Sequence, residues 1–267
     1  MKERTRTSPG YTTVSFGTQR RMVAVNSAIA RRRHTIHLVA ETDVTAPRRF
    51  MAEYRKRTGM SLSFTAYVAT CLARTLAEYP TFNSFRKGRT LYVLDDITVS
   101  IALERDIDGE SVPQPIPIRA INGKTFSQVS EELRSQQRGS DQQAGSVRRA
   151  SWVRYVPDAL LRAFVRLMTR DPGVVQHVGV VGVSSVGMFA SDPTWLVPLS
   201  PATVMVSVGS IVTRPILVDG ELQGRERLCI TASFDHDIVD GAPAARFMRR
   251  FGEILASGDE VRALLAE

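Results

Sequence analysis

SFDHDIVDGAP, residues 233–243, joins a predicted strand to a predicted helix and decides the fold of this chain. The preceding segment, residues 227–234 (RLCITASF), alternates in polarity and is rich in β-branched side chains, which predicts a strand. Apolar residues in the range 244–255 recur at the spacing of a helical core face, which predicts a helix. His236 is therefore expected on a short strand-to-helix connection.

A histidine at such a position is a candidate general base. A rigid scaffold can hold the imidazole of His236 toward a cleft, and an imidazole is partly neutral near pH 7, so that it accepts protons readily. Asp240 follows at the expected start of the helix. The alternative is that Asp240 only caps the helix and His236 is an ordinary polar loop residue, because this spacing also arises by chance.

Longer segments decide between these interpretations. The string around His236 resembles the signature SFDHRVVDGAPAARFL of the catalytic domain of dihydrolipoamide acyltransferases, the acyltransferase components of 2-oxo acid dehydrogenase complexes. Arg21 and His37 stand at the spacing of two family residues that bracket a helix, and residues 41–83 resemble the family segment that ends in an hPxxN turn. VGVSSVGMF, residues 181–189, resembles the family turn TxSNxG.

The resemblance implies the fold and the assembly. It predicts one α/β domain, a chloramphenicol acetyltransferase-like two-layer sandwich of a mixed sheet and helices, assembled as a trimer or a multiple of trimers with the active site between subunits. Residues 1–18 are expected to form a flexible arm and 19–267 the catalytic domain, with an atypical insert around 138–180. We find no lipoyl or subunit-binding domain, so that a lipoyl or acyl-carrier domain is expected in trans.

The resemblance also implies the site residues. His236 is expected to be the general base and Ser184 the donor that stabilises the oxyanion. A serine in a glycine-rich turn otherwise serves only to satisfy the backbone. The third catalytic residue, Asp240, is expected to form a bidentate ion pair with Arg21, and Gly241 to support the same turn.

Three features complicate this assignment. Arg20 is adjacent to Arg21, so that the predicted ion pair could shift by one residue. Asp237 stands where the family has arginine, a charge reversal that can raise the pKa of the base or repel an acidic carrier. Gly182 replaces a threonine, which removes a hydroxyl. These departures leave the acyl group, the acceptor and the retention of activity open.

The function implied is transfer of an acyl group between coenzyme A, or a lipoyl or carrier thioester supplied by another chain, and a thiol, hydroxyl or amine. Coenzyme A would be a substrate, and no covalently bound cofactor is expected. Two alternatives remain: a catalytically silent trimeric core protein, and a condensation-type acyltransferase that uses carrier-bound substrates.

The insert contains an amphipathic segment, residues 151–170, in which Arg162, Arg166 and Arg170 share one face. We consider a helix packed on the domain or on a subunit, a docking face for an acidic carrier or coenzyme A phosphates, and a helix on a membrane surface. The apolar residues expected on its buried face are Val156, Leu160, Leu161, Phe164, Leu167 and Met168.

Composition limits the remaining classes of function. The net charge is +8, but the basic residues are scattered in pairs without a nucleic-acid motif, so that coenzyme A phosphates or an acidic carrier explain the charge. No apolar run is long enough to span a bilayer, and no secretory signal precedes the domain, which predicts a cytoplasmic protein. Cys71 and Cys229 are expected to be buried thiols, and the four histidines lack the spacing of a metal site.

Overall fold

The computed structural model describes residues 4–8, 11–14, 16–107, 110–138, 156–187, 190 and 192–266. The strands are β1 (Arg4–Ser8), β2 (Tyr11–Val14), β3 (Thr35–Asp43), β4 (Ser84–Lys87), β5 (Thr90–Val93), β6 (Val99–Ile107), β7 (Glu110–Ile118), β8 (Val181–Ser185), β9 (Val204–Val218) and β10 (Glu221–Asp235). The helices are α1 (Thr18–Ala30), α2 (Thr45–Thr58), α3 (Phe64–Glu78), α4 (Phe126–Arg138), α5 (Asp158–Met168), α6 (Pro172–Val178), α7 (Gly241–Ser257) and α8 (Asp259–Ala266).

The main sheet has six strands in the order β3-β10-β9-β8-β6-β7. Strand β8 runs parallel to both β6 and β9, whereas the other neighbours are antiparallel, so that the sheet is mixed as predicted. The predicted strand at 227–234 lies within β10, and the predicted helix at 244–255 lies within α7. The two small antiparallel pairs, β1–β2 and β4–β5, stand apart from this sheet.

One face of the sheet carries the core. Along β10, Leu228, Ile230, Ala232 and Phe234 point into this core, and the residues between them are buried as well. Helix α3 is buried along most of its length and is fixed to α7 by a hydrogen bond from the Tyr67 hydroxyl to the carbonyl of Leu255 at 2.6 Å. The helices therefore form a second layer on the sheet, in which α3 is fixed to the last turn of α7.

Aromatic rings pack directly under the strand-to-helix connection. Phe247 of α7 stacks on Phe82 and meets Phe234, the residue before the connection, edge to face. Such pairs contribute about 0.5–1.5 kcal/mol each beyond the area they bury. The end of β10 and the beginning of α7 are thereby held on one rigid platform.

The described part of the insert, residues 156–180, contains the helices α5 and α6, and α5 packs against α1. Leu161 of α5 and Val25 of α1 are buried against each other, with Met22, Ile29, Val156 and Val165 around them. The first alternative for this segment, a helix packed on the domain, is therefore confirmed. Of the apolar residues on α5, Leu161 is buried in this contact, whereas Leu160, Phe164 and Leu167 are exposed in the single chain.

The structure also bears on the predictions for the cysteines, the N-terminal arm and membrane spans. Cys71 and Cys229 are both buried free thiols, as predicted. Residues 4–14, within the predicted flexible arm, include the hairpin of β1 and β2. Within the described ranges, no helix combines the length and the apolar character needed to cross a membrane.

Candidate active site

His236 occupies the connection between β10 and α7 with its imidazole in a defined orientation. Its Nδ1 lies 3.1 Å from the carbonyl oxygen of Val239. A carbonyl only accepts hydrogen bonds, so Nδ1 carries the proton and Nε2 of the neutral ring keeps its lone pair. The side chain is 45% exposed. The geometry therefore presents an accessible proton acceptor at Nε2.

Asp240 lies beside this imidazole but is not hydrogen-bonded to it. Its Oδ1 is 3.6 Å from Nδ1 of His236, and the carboxylate is 84% exposed. The residue occupies the N-cap of α7, yet its side chain makes no capping hydrogen bond. The alternative role as a helix cap is thus not realised, and the contact with His236 is electrostatic.

Two residues before β3 hold three consecutive residues of the connection. Arg33 forms an ion pair with Asp235, whose side chain is fully buried. The carbonyl of His34 accepts a 2.6 Å hydrogen bond from the backbone N–H of His236. The Nδ1 of His34 lies 2.8 Å from Oδ1 of Asp237. We call this arrangement the 33–34 clamp.

Asp237, the charge reversal noted in the sequence, has a partner for each oxygen. Arg86 of β4 donates to Oδ2 at 2.6 Å, and His34 faces Oδ1. The pKa of Asp237 is lowered, first by the hydrogen bond from His34 and more weakly by the charge of Arg86, while burial opposes the shift. The negative charge beside His236 is therefore matched by neighbouring donors.

Ser184 lies far from His236 within one chain. In the register of the sheet, Ser184 is paired with Ser207 of β9, and Ser207 is paired with Thr231 of β10. His236 follows Thr231 by five residues, about 17 Å along the strands, and two strand spacings add about 10 Å across them. The two residues are thus about 20 Å apart, whereas a base and an oxyanion donor must reach the same carbonyl group.

Ser184 belongs to a row of hydroxyl groups on the face opposite the helices. The hydroxyls of Ser207 and Thr231 are buried and have no hydrogen-bond partner within the described part of the chain. Ser207 and Thr231 are both fully buried, so that their hydroxyls lie within the fold and do not form exposed surface.

The predicted ion pair between Arg21 and Asp240 is wrong. Arg21 instead donates to Oδ1 of Asp158 from Nε at 2.9 Å and from Nη2 at 2.5 Å, and to the carbonyl of Val156. The packing of α5 on α1 brings Asp158 in the first turn of α5 to Arg21. His236 is the one side-chain partner of Asp240 among the described residues.

Gly241, predicted to support the turn, is the first residue of α7. A side chain at this position would meet no atom within 4 Å, so the packing does not require glycine here. The sequence reasoning also missed Arg33, His34 and Arg86. Strand β3, which follows Arg33 and His34, was not predicted, and its pairing with β10 could not be inferred from the sequence.

Comparison with known proteins identifies the kind of domain. The family model for the 2-oxoacid dehydrogenases acyltransferase (catalytic domain) matches residues 6–147 and 176–263. The segment between the matched ranges includes α5. The match therefore covers the main sheet, the 33–34 clamp and the His236 connection.

Relatives are longer than this chain. It is 26% identical over 208 residues to the lipoamide acyltransferase component of the branched-chain alpha-keto acid dehydrogenase complex of Bacillus subtilis, covering 78% of this chain and 42% of that protein. It is 24% identical over 253 residues to the dihydrolipoyllysine-residue acetyltransferase component of the pyruvate dehydrogenase complex of Staphylococcus aureus, covering 91% and 51%. The chain spans about half the length of the curated relatives it matches.

Solved structures share the fold. A probable dihydrolipoamide acetyltransferase from Listeria monocytogenes superimposes with a TM-score of 0.68 at 20% identity, covering 93% of this chain and 95% of that one. The dihydrolipoamide acetyltransferase of Azotobacter vinelandii gives 0.67 at 22% identity, covering 95% and 93%. At these identities the likeness concerns the fold, and the predicted fold class is confirmed.

Proposed function

Because this chain belongs to the family of 2-oxoacid dehydrogenases acyltransferase catalytic domains, we propose that it transfers an acyl group between coenzyme A and a thiol. The observation that carries the proposal is the orientation of His236, whose Nδ1 faces the carbonyl of Val239 and leaves Nε2 as an exposed base. A dihydrolipoyl group is the proposed thiol, because the matched relatives are lipoamide acyltransferase and dihydrolipoyllysine acetyltransferase components.

The proposed reaction needs a base and an oxyanion donor. Nε2 of His236 takes the proton of the attacking thiol, its sulfur bonds to the thioester carbon, and the carbonyl oxygen becomes an oxyanion. Ser184 donates a hydrogen bond to that oxygen, a contact of the kind whose loss costs about a hundredfold to a thousandfold in rate. Collapse re-forms the carbonyl and breaks the original carbon–sulfur bond, and the departing thiolate takes the proton from the imidazolium.

Residue spacing supports these roles. In the Azotobacter vinelandii enzyme, a serine, a histidine and an asparagine were investigated for their role in catalysis, and the intervals between them equal those between Ser184, His236 and Asp240. The asparagine at the third position carries no charge. We therefore assign Asp240 a supporting contact with the imidazole, consistent with its distance of 3.6 Å from Nδ1.

The complete site is proposed to form between two subunits of a trimer. A separation of about 20 Å between Ser184 and His236 cannot serve one carbonyl group, so that the serine and the histidine must come from different copies. A head-to-tail contact repeated around a threefold axis supplies one such pairing at every interface.

Replacement of His236 tests the proposal. With acetyl-coenzyme A and free dihydrolipoamide as substrates, His236→Ala is expected to lower kcat by about 10²- to 10⁴-fold, because general base catalysis is lost. His177→Ala is the matched control, since Nδ1 of His177 also contacts a backbone carbonyl, that of Gly173. The proposal fails if the wild type forms no acetyl-dihydrolipoamide, or if His236→Ala keeps kcat within about tenfold.

A further inference from the structure

The β4–β5 hairpin also contacts the connection between β10 and α7. Nη2 of Arg86 donates a hydrogen bond to Oδ2 of Asp237 at 2.6 Å. The hydroxyl of Thr203 donates to the carbonyl of Ser84 at 2.6 Å, and the carbonyl of Thr203 accepts a 3.0 Å hydrogen bond from the backbone N–H of Asp235. The hairpin is therefore joined to the connection directly at one residue and through Thr203 at another.

The base of this hairpin is held in place by buried groups. The side-chain amide of Asn83 donates to the carbonyls of Leu94 and Asp96 at 2.8 and 3.1 Å. Phe85, the residue before Arg86, is buried in the core. Arg86 thus projects from a strand whose position is fixed by the core, so that its guanidinium group restrains the chain segment that it contacts.

Asp237 lies in the tight turn that carries the proposed base. The backbone N–H groups of Ile238 and Val239 both donate to the carbonyl of Asp235 at 3.0 Å, which closes the turn. The same turn contains His236 and the carbonyl of Val239 that faces its Nδ1. A displacement of Asp237 would therefore change the direction of Nε2, and a misplacement of about 1 Å can cost about a hundredfold in rate.

The charges of the Arg86–Asp237 contact distinguish this chain from the family signature, which has arginine at the position of Asp237. Two arginines at these positions would repel each other. The side chains of Arg86 and Asp237 are 53% and 27% exposed, and exposed ion pairs stabilise a fold little. The geometry of the turn therefore explains the contact better than stability does.

We propose that Arg86 is a positioning residue for His236 and acts through Asp237, by holding the turn in the orientation that presents Nε2 to the thiol. The inference rests on the proposed function, in which Nε2 is the base. The 33–34 clamp holds the turn from the chain before β3, and Arg86 holds it from the hairpin. Loss of the Arg86 contact should then lower kcat and leave KM for acetyl-coenzyme A unchanged.

A charge exchange tests the proposal. Asp237→Arg, which installs the residue of the family signature, and Arg86→Asp each bring like charges together. Each should lower kcat for acetyl transfer to dihydrolipoamide by about tenfold or more, while KM for acetyl-coenzyme A stays within about twofold. The double variant restores an opposite pair, and its kcat should return to within about threefold of the wild type. Glu226→Arg, in the similarly exposed ion pair with Arg48, is the matched control and should leave kcat unchanged.

Either of two results overturns the proposal: a folded single variant that keeps kcat within about twofold, or a double variant as slow as the single ones. If the reversals prevent folding, Arg86→Met and Arg86→Lys replace them. Arg86→Met should be about tenfold slower than the wild type, whereas Arg86→Lys should stay within about threefold, because an ammonium group can replace the Nη2 donor. Equal rates for the methionine and lysine variants then overturn the proposal.

The tautomer of His236 separates this proposal from the proposed function. Nitrogen NMR with isotopically labelled histidine at about pH 8, assigned with His236→Ala, should show the proton on Nδ1 in the wild type and in the double variant. Asp237→Arg should show both tautomers. An unchanged Nδ1 tautomer in Asp237→Arg overturns the positioning role even if acetyl transfer stands. The expected change supports it even if the wild type transfers no acetyl group, a result that contradicts the proposed function alone.

Discussion

The orientation of His236, the proposed base, depends on residues that are distant in sequence. Arg33 and His34 hold Asp235, His236 and Asp237 by an ion pair, a backbone hydrogen bond and a side-chain contact. The clamp restricts the connection from one side, and the aromatic platform under Phe234 restricts it from the other. A base held in this way loses little freedom when substrate binds, which favours a productive orientation.

Acid should weaken the clamp through Asp237. Because its pKa is lowered in the folded state, the unfolded chain binds a proton more readily, and the stabilisation present above about pH 4 is lost as the pH falls toward the folded pKa. Asp237→Asn should therefore show a smaller fall in the free energy of unfolding below about pH 4 than the wild type. Urea titrations at several pH values measure this difference, and parallel curves for the two proteins would exclude the effect.

The roles of His236, Ser184 and Asp240 stay predictions, based on a contiguous signature and on the interval between the serine and the histidine. The sequence did not reveal Arg33 or Arg86, because their contacts with residues 235 and 237 depend on how distant segments pack together. Arg21 was assigned the wrong partner for a different reason. The insert supplies Asp158, and the resemblance gave no information about this segment.

At the scale of elements, α5 shows how an amphipathic pattern can mislead. Its apolar residues suggested one buried face, but they form two adjacent stripes. Leu161 packs on α1, while Leu160, Phe164 and Leu167 face outward. Successive residues on a helix differ by about 100°, so that Leu160 and Leu161 cannot both face the same neighbour. The sequence did not show that α1 is the partner of α5. It therefore did not show which apolar stripe of α5 would be buried.

Truncation of neighbouring leucines tests how α5 is attached. Leu161→Ala should lower the free energy of opening α5 by about 2 kcal/mol, because it empties the contact with Val25. Leu160→Ala, at a position 62% exposed, should have little effect. Limited trypsin digestion at Arg162 and Arg166 reports the opening, with faster cleavage expected in Leu161→Ala alone. Equal cleavage rates in both variants would contradict docking through Leu161.

The strand and helix around His236 were predictable because each has a clear period within one segment. The position of β8 between β6 and β9 could not be predicted, because parallel pairing joins strands that are distant in sequence. The same pairing sets the distance between Ser184 and His236 within one chain, so that this distance could not be predicted from the sequence.

At the scale of the whole molecule, the described chain carries both functional groups but holds them about 20 Å apart. The account therefore requires a second copy at each site, which is its central claim. Subunit exchange addresses the claim directly, because it asks whether the two groups act from different chains.

The measurement is acetyl transfer by co-refolded Ser184→Ala and His236→Ala proteins. Each variant alone should be nearly inactive. In a trimer with random mixing at equal amounts, an interface needs an intact histidine from one chain and an intact serine from the next, so that about a quarter of wild-type activity should return. Co-refolded mixtures that stay as inactive as the separate variants would contradict the account and place both groups in one chain.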